Sequence, residues 1–310
     1  MKAQLKREFR EHRTIPFVTW HIENPYSPKD ANGRGAWFRK ESKGYPSEHA
    51  DVVREILDGT GGPCGGGTAD GSPAEKFPNP LAWYMSLLKS CCDFCKEFVD
   101  DAGHRIPVAF RLFHECDIRA FWWGDGMTTP EELIKLHRLT IDYLRRELGE
   151  DNVLFCYGTD RTWKEIGQEG VSGFLCRYPG DVYIDILGFD DYGFGHGEGA
   201  AKKANYQETV RKMRLLSAEA MRRGKSCGIF ESSALDTDDF YALLLRAARE
   251  SGGRFAILTT YNGKWTFPAS TAGMADLRRF VADEDILTAK NRLDLTKPGA
   301  AERLFTRRLK

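Results

Sequence analysis

Ile106-Pro107-Val108-Ala109-Phe110-Arg111-Leu112-Phe113-His114-Glu115 changes character in mid-course. Its first half is short, apolar and preceded by Gly103, the pattern of a strand buried on both faces. Its second half brings a guanidinium, an imidazole and a carboxyl group together, and Cys116-Asp117-Ile118-Arg119-Ala120 then leads into Phe121-Trp122-Trp123-Gly124. Aromatic faces pack against the apolar C–H faces of sugar rings, and a carboxyl group in such surroundings suits a general acid. Glu115 is therefore read as an acid/base group acting on a carbohydrate. The plainer alternative is a core strand that ends in a charged turn, with the two tryptophans as core filler.

Outward from that stretch, strands and helices alternate. Residues 3–13 have the pattern of an amphipathic helix, and Thr14 to Trp20 that of a strand ending at His21-Ile22-Glu23-Asn24-Pro25. A polar loop from Tyr26 to about Pro46 carries Trp37, and residues 59–71 hold seven glycines, too many for regular structure. A helical pattern covers 79–102. Thr129-Pro130-Glu131-Glu132 opens a helix that Gly149 closes after Leu148, with a cap, proline at the first position and acids in the first turn. Strand-like runs follow at Val153–Tyr157, Tyr183–Phe189, Cys227–Phe230 and Phe255–Thr259, with helices at 206–223 and 237–250 between them and a helical then polar stretch over 271–310. The polar residues that stand out fall at strand C-terminal ends: His21, Arg111, Asp190, Glu231 and Tyr261. Strand ends all converge only at the mouth of a (β/α)8 barrel, so a TIM barrel is expected over residues 1–290, with 291–310 as a polar tail. Only six strands are found, so the first one or two strand–helix units of such a barrel are expected to be lacking in this chain.

The totals narrow the function. Lys plus Arg and Asp plus Glu both number 45 in 310 residues, so the formal charge is zero. That balance speaks against a nucleic-acid partner. The mean hydropathy is −0.47, and no apolar run approaches membrane-spanning length, so no membrane insertion is expected. The N-terminal residues lack the apolar segment of a signal peptide. Eight cysteines in a chain of this size are expected to be reduced core thiols; Cys91, Cys92 and Cys95 lack the second ligand pair of a zinc site. Neither a dinucleotide fingerprint nor a phosphate loop occurs, and no cofactor or metal is expected.

Arg111-x-x-His114-Glu115 followed by Phe121-Trp122-Trp123-Gly124 resembles the pattern of glycoside hydrolase family 26 β-mannanases. Trp20-His21-x-x-Asn24-Pro25, Tyr178-Pro179-Gly180, Gly188-Phe189-Asp190-Asp191-Tyr192 and the lone Glu231 are also similar and occur in the same order. The resemblance implies a retaining double displacement on β-1,4-mannan, with Glu115 as acid/base and Glu231 as nucleophile, their carboxyl groups about 5–5.5 Å apart. Arg111, four residues before Glu115 on the same strand and so on the same face, is expected to keep a nearby carboxylate ionised and oriented, and the family agrees. The resemblance implies further that Tyr192 donates a hydrogen bond to Glu231, that Asp190, His114 and His21 hold sugar hydroxyls, and that Trp37, Trp122, Trp123 and Tyr261 supply rings to the substrate. A monomer that is secreted or on the cell surface, acting on a β-linked polysaccharide or oligosaccharide, is what the family leads one to expect. There are departures. Leu112 replaces a customary proline, Ile118-Arg119-Ala120 replaces Gly-x-Trp, and Tyr261 stands where a tryptophan is usual. These leave open another β-glycan, such as β-1,3-xylan or mixed-linkage glucan, a carbohydrate-binding homologue with impaired turnover, or a metal-dependent hydrolase using His21, His114 and Asp190.

Overall fold

A computed structural model describes residues 2–27, 35–49, 51–65, 77–149, 152–165, 167–235, 237–261, 268 and 270–286. The proposed tail at 291–310, Asn262 and residues 66–71 of the glycine-rich stretch lie outside the described residues. Six parallel strands form one sheet in the order β1 (Phe17–Thr19), β2 (Val108–Arg111), β3 (Val153–Thr159), β6 (Ile186–Asp191), β7 (Ser226–Ser232) and β8 (Ile257–Leu258). The interleaved helices are α3 (Pro80–Lys96), α4 (Pro130–Leu148), α6 (Gly199–Arg223), α7 (Phe240–Ser251) and α8 (Thr271–Ala282). Helix α1 (Lys2–His12) precedes the sheet, and Leu5 and Phe9 from it pack with Phe98, Ile106 and Val108.

Local sequence accounts for most of these elements. Helix α4 begins as its residues demand: Thr129 Oγ1 accepts from the Glu132 N–H, and the Glu132 carboxylate accepts from the Thr129 N–H, a reciprocal cap. Its buried Leu133, Leu136, Thr140, Ile141, Leu144 and Leu148 recur at helical spacing. Asn79 caps α3 through the Ala82 N–H. Three elements have no counterpart in the sequence reading. They are the short helix α2 (Val52–Asp58), capped by Asp51, the small hairpin of β4 (Lys164–Glu165) and β5 (Gln168–Glu169), and the single turn α5 (Val171–Phe174).

The two faces of the sheet are unequal. Phe110, Phe155, Tyr157, Leu187, Phe189 and Ile229 join the large core shared with the helices, whereas Ala109, Cys156, Ile186 and Phe230, with Phe17 and Ile257, fill a smaller cluster on the other face. Phe230 governs that second layer. Gly158 and Gly188 are partners in neighbouring strands, and a Cβ at either would meet the Phe230 ring within 2.6 Å or less. The bare backbone of two strands is the floor on which that ring lies. Pairing between β6 and β7 also slips there: Phe189 pairs with Ile229 but Asp190 with Glu231, leaving Phe230 unmatched. This bulge matters for chemistry. Strict alternation would send Glu231 to the helix side with Ile229, and the extra residue returns it to the face of Arg111 and Asp190.

All eight cysteines are free, and six of them are buried. Replacement Gly188→Ala is expected to displace the Phe230 ring. Denaturant unfolding should report a loss of about 1–3 kcal/mol from overpacking, and the neighbouring Glu231 should move with the ring.

Candidate active site

The strand of the opening stretch is shorter than its sequence suggested, ending at Arg111. Glu115 therefore does not share a strand face with Arg111. It stands in the turn beyond the strand end with a left-handed backbone, φ +42°, a conformation that an L side chain adopts at a cost of about 1 kcal/mol or more. Hydrogen bonds hold the turn in that shape. Ile118 N–H donates to the Glu115 carbonyl at 3.2 Å, and the Trp123 indole N–H donates to the His114 carbonyl at 2.9 Å.

Arg111 lies at the centre and is 0% exposed, as is Asp190. Its Nη1 donates to both Asp190 oxygens at 2.9 and 2.8 Å and stands 3.7 Å from Glu231 Oε1, and Nη2 donates to the Gly158 carbonyl at 3.2 Å. Its guanidinium also lies over the Phe230 ring, 5.4 Å from the centroid. Tyr192 donates its hydroxyl hydrogen to Glu231 Oε2 at 2.7 Å. Glu231 is thus held from two sides by a cation and a phenol. His114 completes the arrangement: Nε2 is 3.3 Å from Glu115 Oε2, and Nδ1 is 3.5 Å from Glu231 Oε1. The two carboxylates stand on either side of one imidazole ring. Burial, reinforced by the Arg111 charge, pushes the His114 pKa down to about 2, so this ring is neutral at ordinary pH.

Several expected sugar contacts are corrected by burial. Asp190 and Arg111 have no surface to offer a hydroxyl, and each is committed to the other. Trp122 and Trp123 are 3% and 0% exposed. They act as pegs, Trp122 donating its indole N–H to the Ile22 carbonyl and Trp123 to that of His114. The rings left open are Trp37, 40% exposed, and Tyr261, 42% exposed. Trp37 stacks on His21 at 5.4 Å, and His21 meets His114 at 4.4 Å. The Trp37 turn is pinned by Asn24, whose Nδ2 donates to the Phe38 carbonyl, and by Trp122 N–H, which donates to the Ala36 carbonyl. Tyr261 donates its N–H to the Ser232 carbonyl, beside Glu231.

Asp117 and Asp160 are acidic groups that the sequence reading passed over. Asp117 is buried, and its flanking apolar neighbours, Cys116 and Ile118, were the available signal. Its Oδ1 accepts from the Asp160 N–H at 2.7 Å and its Oδ2 from the Thr162 hydroxyl at 3.5 Å. Burial pushes the Asp117 carboxyl up to about 7, opposed by the Asp160 N–H and helped by the Asp160 and Glu115 charges. Burial likewise raises Asp160, with the Glu115 charge contributing.

Among the described residues, His114, Glu115 and Asp190 have donor atoms within 4.8 Å of one another, near enough to share a cation. Asp190 already gives both oxygens to Arg111, and that guanidinium repels a second positive charge, so the donor set fits a metal poorly. Among the described residues, no helix is long and apolar enough to cross a membrane.

The family model for glycosyl hydrolase family 26 matches residues 84–244, just over half of the chain. The chain belongs to glycosyl hydrolase family 26. Among curated members, a mannan endo-1,4-beta-mannosidase from Bifidobacterium adolescentis is 28% identical over 222 residues, 64% of this chain and 22% of that protein. One from Bacillus subtilis is 26% identical over 184 residues, 57% of this chain and 40% of that protein. The chain thus spans well under half the length of these relatives. Among solved structures, GH26C from Muricauda sp. MAR_2010_75 superposes with a TM-score of 0.74 at 24% identity, covering 96% of this chain and 73% of that one. A family 26 beta-mannanase from Bacteroides ovatus superposes with a TM-score of 0.72 at 21% identity, covering 96% and 76%. The fold is accordingly that of the family's (β/α)8 barrel, and six of its strands are seen in the described residues.

Two outcomes test the electrostatics. Arg111→Met leaves Asp190 and Glu231 uncompensated and should cost about 3–5 kcal/mol in denaturant unfolding, much of it recovered in Arg111→Met/Asp190→Leu. The raised Asp117 pKa means that the native state binds its proton more tightly than the unfolded chain. Stability from this group is therefore full below the ordinary aspartate range and is lost as pH rises through about 7. Asp117→Asn should flatten that slope, raising the thermal midpoint at pH 8 relative to wild type by more than at pH 5.

Proposed function

We propose that this chain hydrolyses β-1,4-mannosidic bonds with retention of configuration, Glu231 acting as nucleophile and Glu115 as acid/base. The observation that carries this reading is the pair of carboxylates flanking one neutral imidazole, His114, while only Glu231 is held by Arg111 and Tyr192. A nucleophile must be ionised and aimed, and a guanidinium with a phenol donor favours the charged form. An acid/base carboxyl has to exchange a proton twice in each turnover, and among the described residues no lysine or arginine is paired with Glu115.

The steps follow from those roles. Glu115 gives its proton to the glycosidic oxygen as a Glu231 oxygen forms a bond to the anomeric carbon, and the leaving sugar departs. Glu115, now a carboxylate, takes a proton from water. That water attacks the same carbon, and the Glu231–sugar bond breaks. As the covalent ester forms, Glu231 loses its charge. Trp37 stacked on His21 offers the open ring for a sugar face. The mannosidases that this chain resembles point to β-mannan. Ile118-Arg119-Ala120, in place of the family's Gly-x-Trp, favours including other β-linked glycans in any trial.

The test is release of reducing sugar from β-mannan, β-1,3-xylan and mixed-linkage glucan. Glu115→Ala and Glu231→Ala should each lose at least about 10³-fold in kcat/KM on the polysaccharide that is cleaved. Azide should restore turnover to Glu115→Ala on an aryl glycoside, giving a β-configured glycosyl azide. Binding of glycan without cleavage by the wild type would identify a binding protein instead.

A further inference from the structure

The turn bearing Glu115 is shaped by bonds among its own residues. His114 and Glu115 carbonyls are taken by Trp123 and Ile118, and Ile118 in turn accepts from the Asp125 N–H at 3.1 Å. Its far end is tied to the loop after β1, where Trp122 donates to the Ile22 and Ala36 carbonyls and Arg39 donates to the Ala120 carbonyl. The Asp117 side chain supplies the tie on the β3 side, close to Glu115. It reaches out of the turn to the segment just after β3 and takes two hydrogen bonds there, from the Asp160 N–H and the Thr162 hydroxyl.

We propose that Asp117 is a positioning residue for the acid/base group, docking the left-handed Glu115 turn onto the C-terminal end of β3 through the Asp160 N–H. The inference rests on the reading of Glu115 as acid/base, and it adds a residue that neither the motif nor the family resemblance brought forward. Three observations support it. A non-glycine residue at positive φ persists only where its surroundings over-determine it. The carboxyl of Asp117 is buried, and an oxygen buried without a donor is costly, so its two bonds resist rearrangement. The segment it grips is itself anchored: Arg161 lies 3.4 Å from the fully buried Asp191, which accepts from the Gly193 and Phe194 N–H groups in the loop that follows Tyr192. One chain of contacts thus joins the Glu115 turn to the loop that orients Glu231.

Misplacing an acid/base carboxyl harms protonation of the leaving sugar and the later activation of water, but not the attack of Glu231 on a substrate whose leaving group needs no proton. The readout is therefore kcat/KM, which reports the first bond cleavage, on two substrates. One is the cleaved polysaccharide, whose leaving sugar must be protonated; the other is the matching dinitrophenyl glycoside, whose leaving group needs no proton. Asp117→Ala is expected to lose about 10²-fold on the polysaccharide and to fall by no more than about threefold on the dinitrophenyl substrate. Asp117→Asn keeps an oxygen for the Asp160 N–H and should stay within about threefold of wild type on both. Equal losses on the two substrates, or an Asn variant as selectively impaired as the Ala variant, would overturn the proposal. Should Asp117→Ala fail to fold by circular dichroism, Asp117→Asn decides alone: an unchanged ratio between the substrates supports the docking role, and a selective loss on the polysaccharide refutes it. Glu115→Gln serves as the control, because full polysaccharide activity in that variant would sink the acid/base assignment itself whatever Asp117 does.

Discussion

A buried guanidinium is the constraint around which the rest of this site is arranged. Arg111 is wholly removed from water, and its charge is met by Asp190 in contact and by Glu231 at 3.7 Å. The three groups come from β2, β6 and β7, and an ion system in so dry a place is tolerable only when each member has its partner. The curl of the sheet and the relation between distant strand ends are therefore fixed by the same contacts that hold the Glu231 carboxylate. Neighbouring His114 stays neutral under that field, so it adds no charge of its own between the two acids.

Aromatic residues divide into two kinds here, separated by what their polar edges touch. The adjacent pair Trp122 and Trp123 spend their indole N–H groups on backbone carbonyls of Ile22 and His114, tying the loop after β1 and the Glu115 turn to one packed corner. Trp37 and Tyr261 keep exposed faces at the strand ends. Around Trp37, Arg39 donates to the Ala120 carbonyl, Lys40 to that of Gly126, and Arg119 reaches back to Glu41. Individually such exposed contacts are weak. Several of them join the same two loops, and the buried Asn24 bonds hold that assembly in register.

Membership of glycosyl hydrolase family 26 explains why the sequence motifs fall in one order along the chain, and the geometry explains what each is for. Asn24 of the first motif anchors the Trp37 turn. Pro179 of the third gives its carbonyl to Arg138 on α4, a packing contact away from the acids. Tyr192 of the fourth meets Glu231. The motifs are thus a mixture of chemical groups and the fasteners that aim them, and the two kinds look alike in one dimension.

The sequence by itself determined the alternation of strands and helices, the caps of α4 and the placing of Arg111, Asp190 and Glu231 at strand ends. Those features follow from local rules: periodicity, capping and the burial demands of apolar runs act over a few residues each. Tertiary structure alone decided which polar side chains are hidden. Nothing in Trp122-Trp123 or in Arg111 and Asp190 announces full burial, because burial depends on neighbours supplied by remote strands. It alone decided also that Glu231 faces inward, since the slip at Phe230 reverses the alternation that β7 would otherwise show. Gly158 and Gly188, far from Phe230 in the chain, clear the space for that ring, and a relation among three strands cannot be read from any one of them.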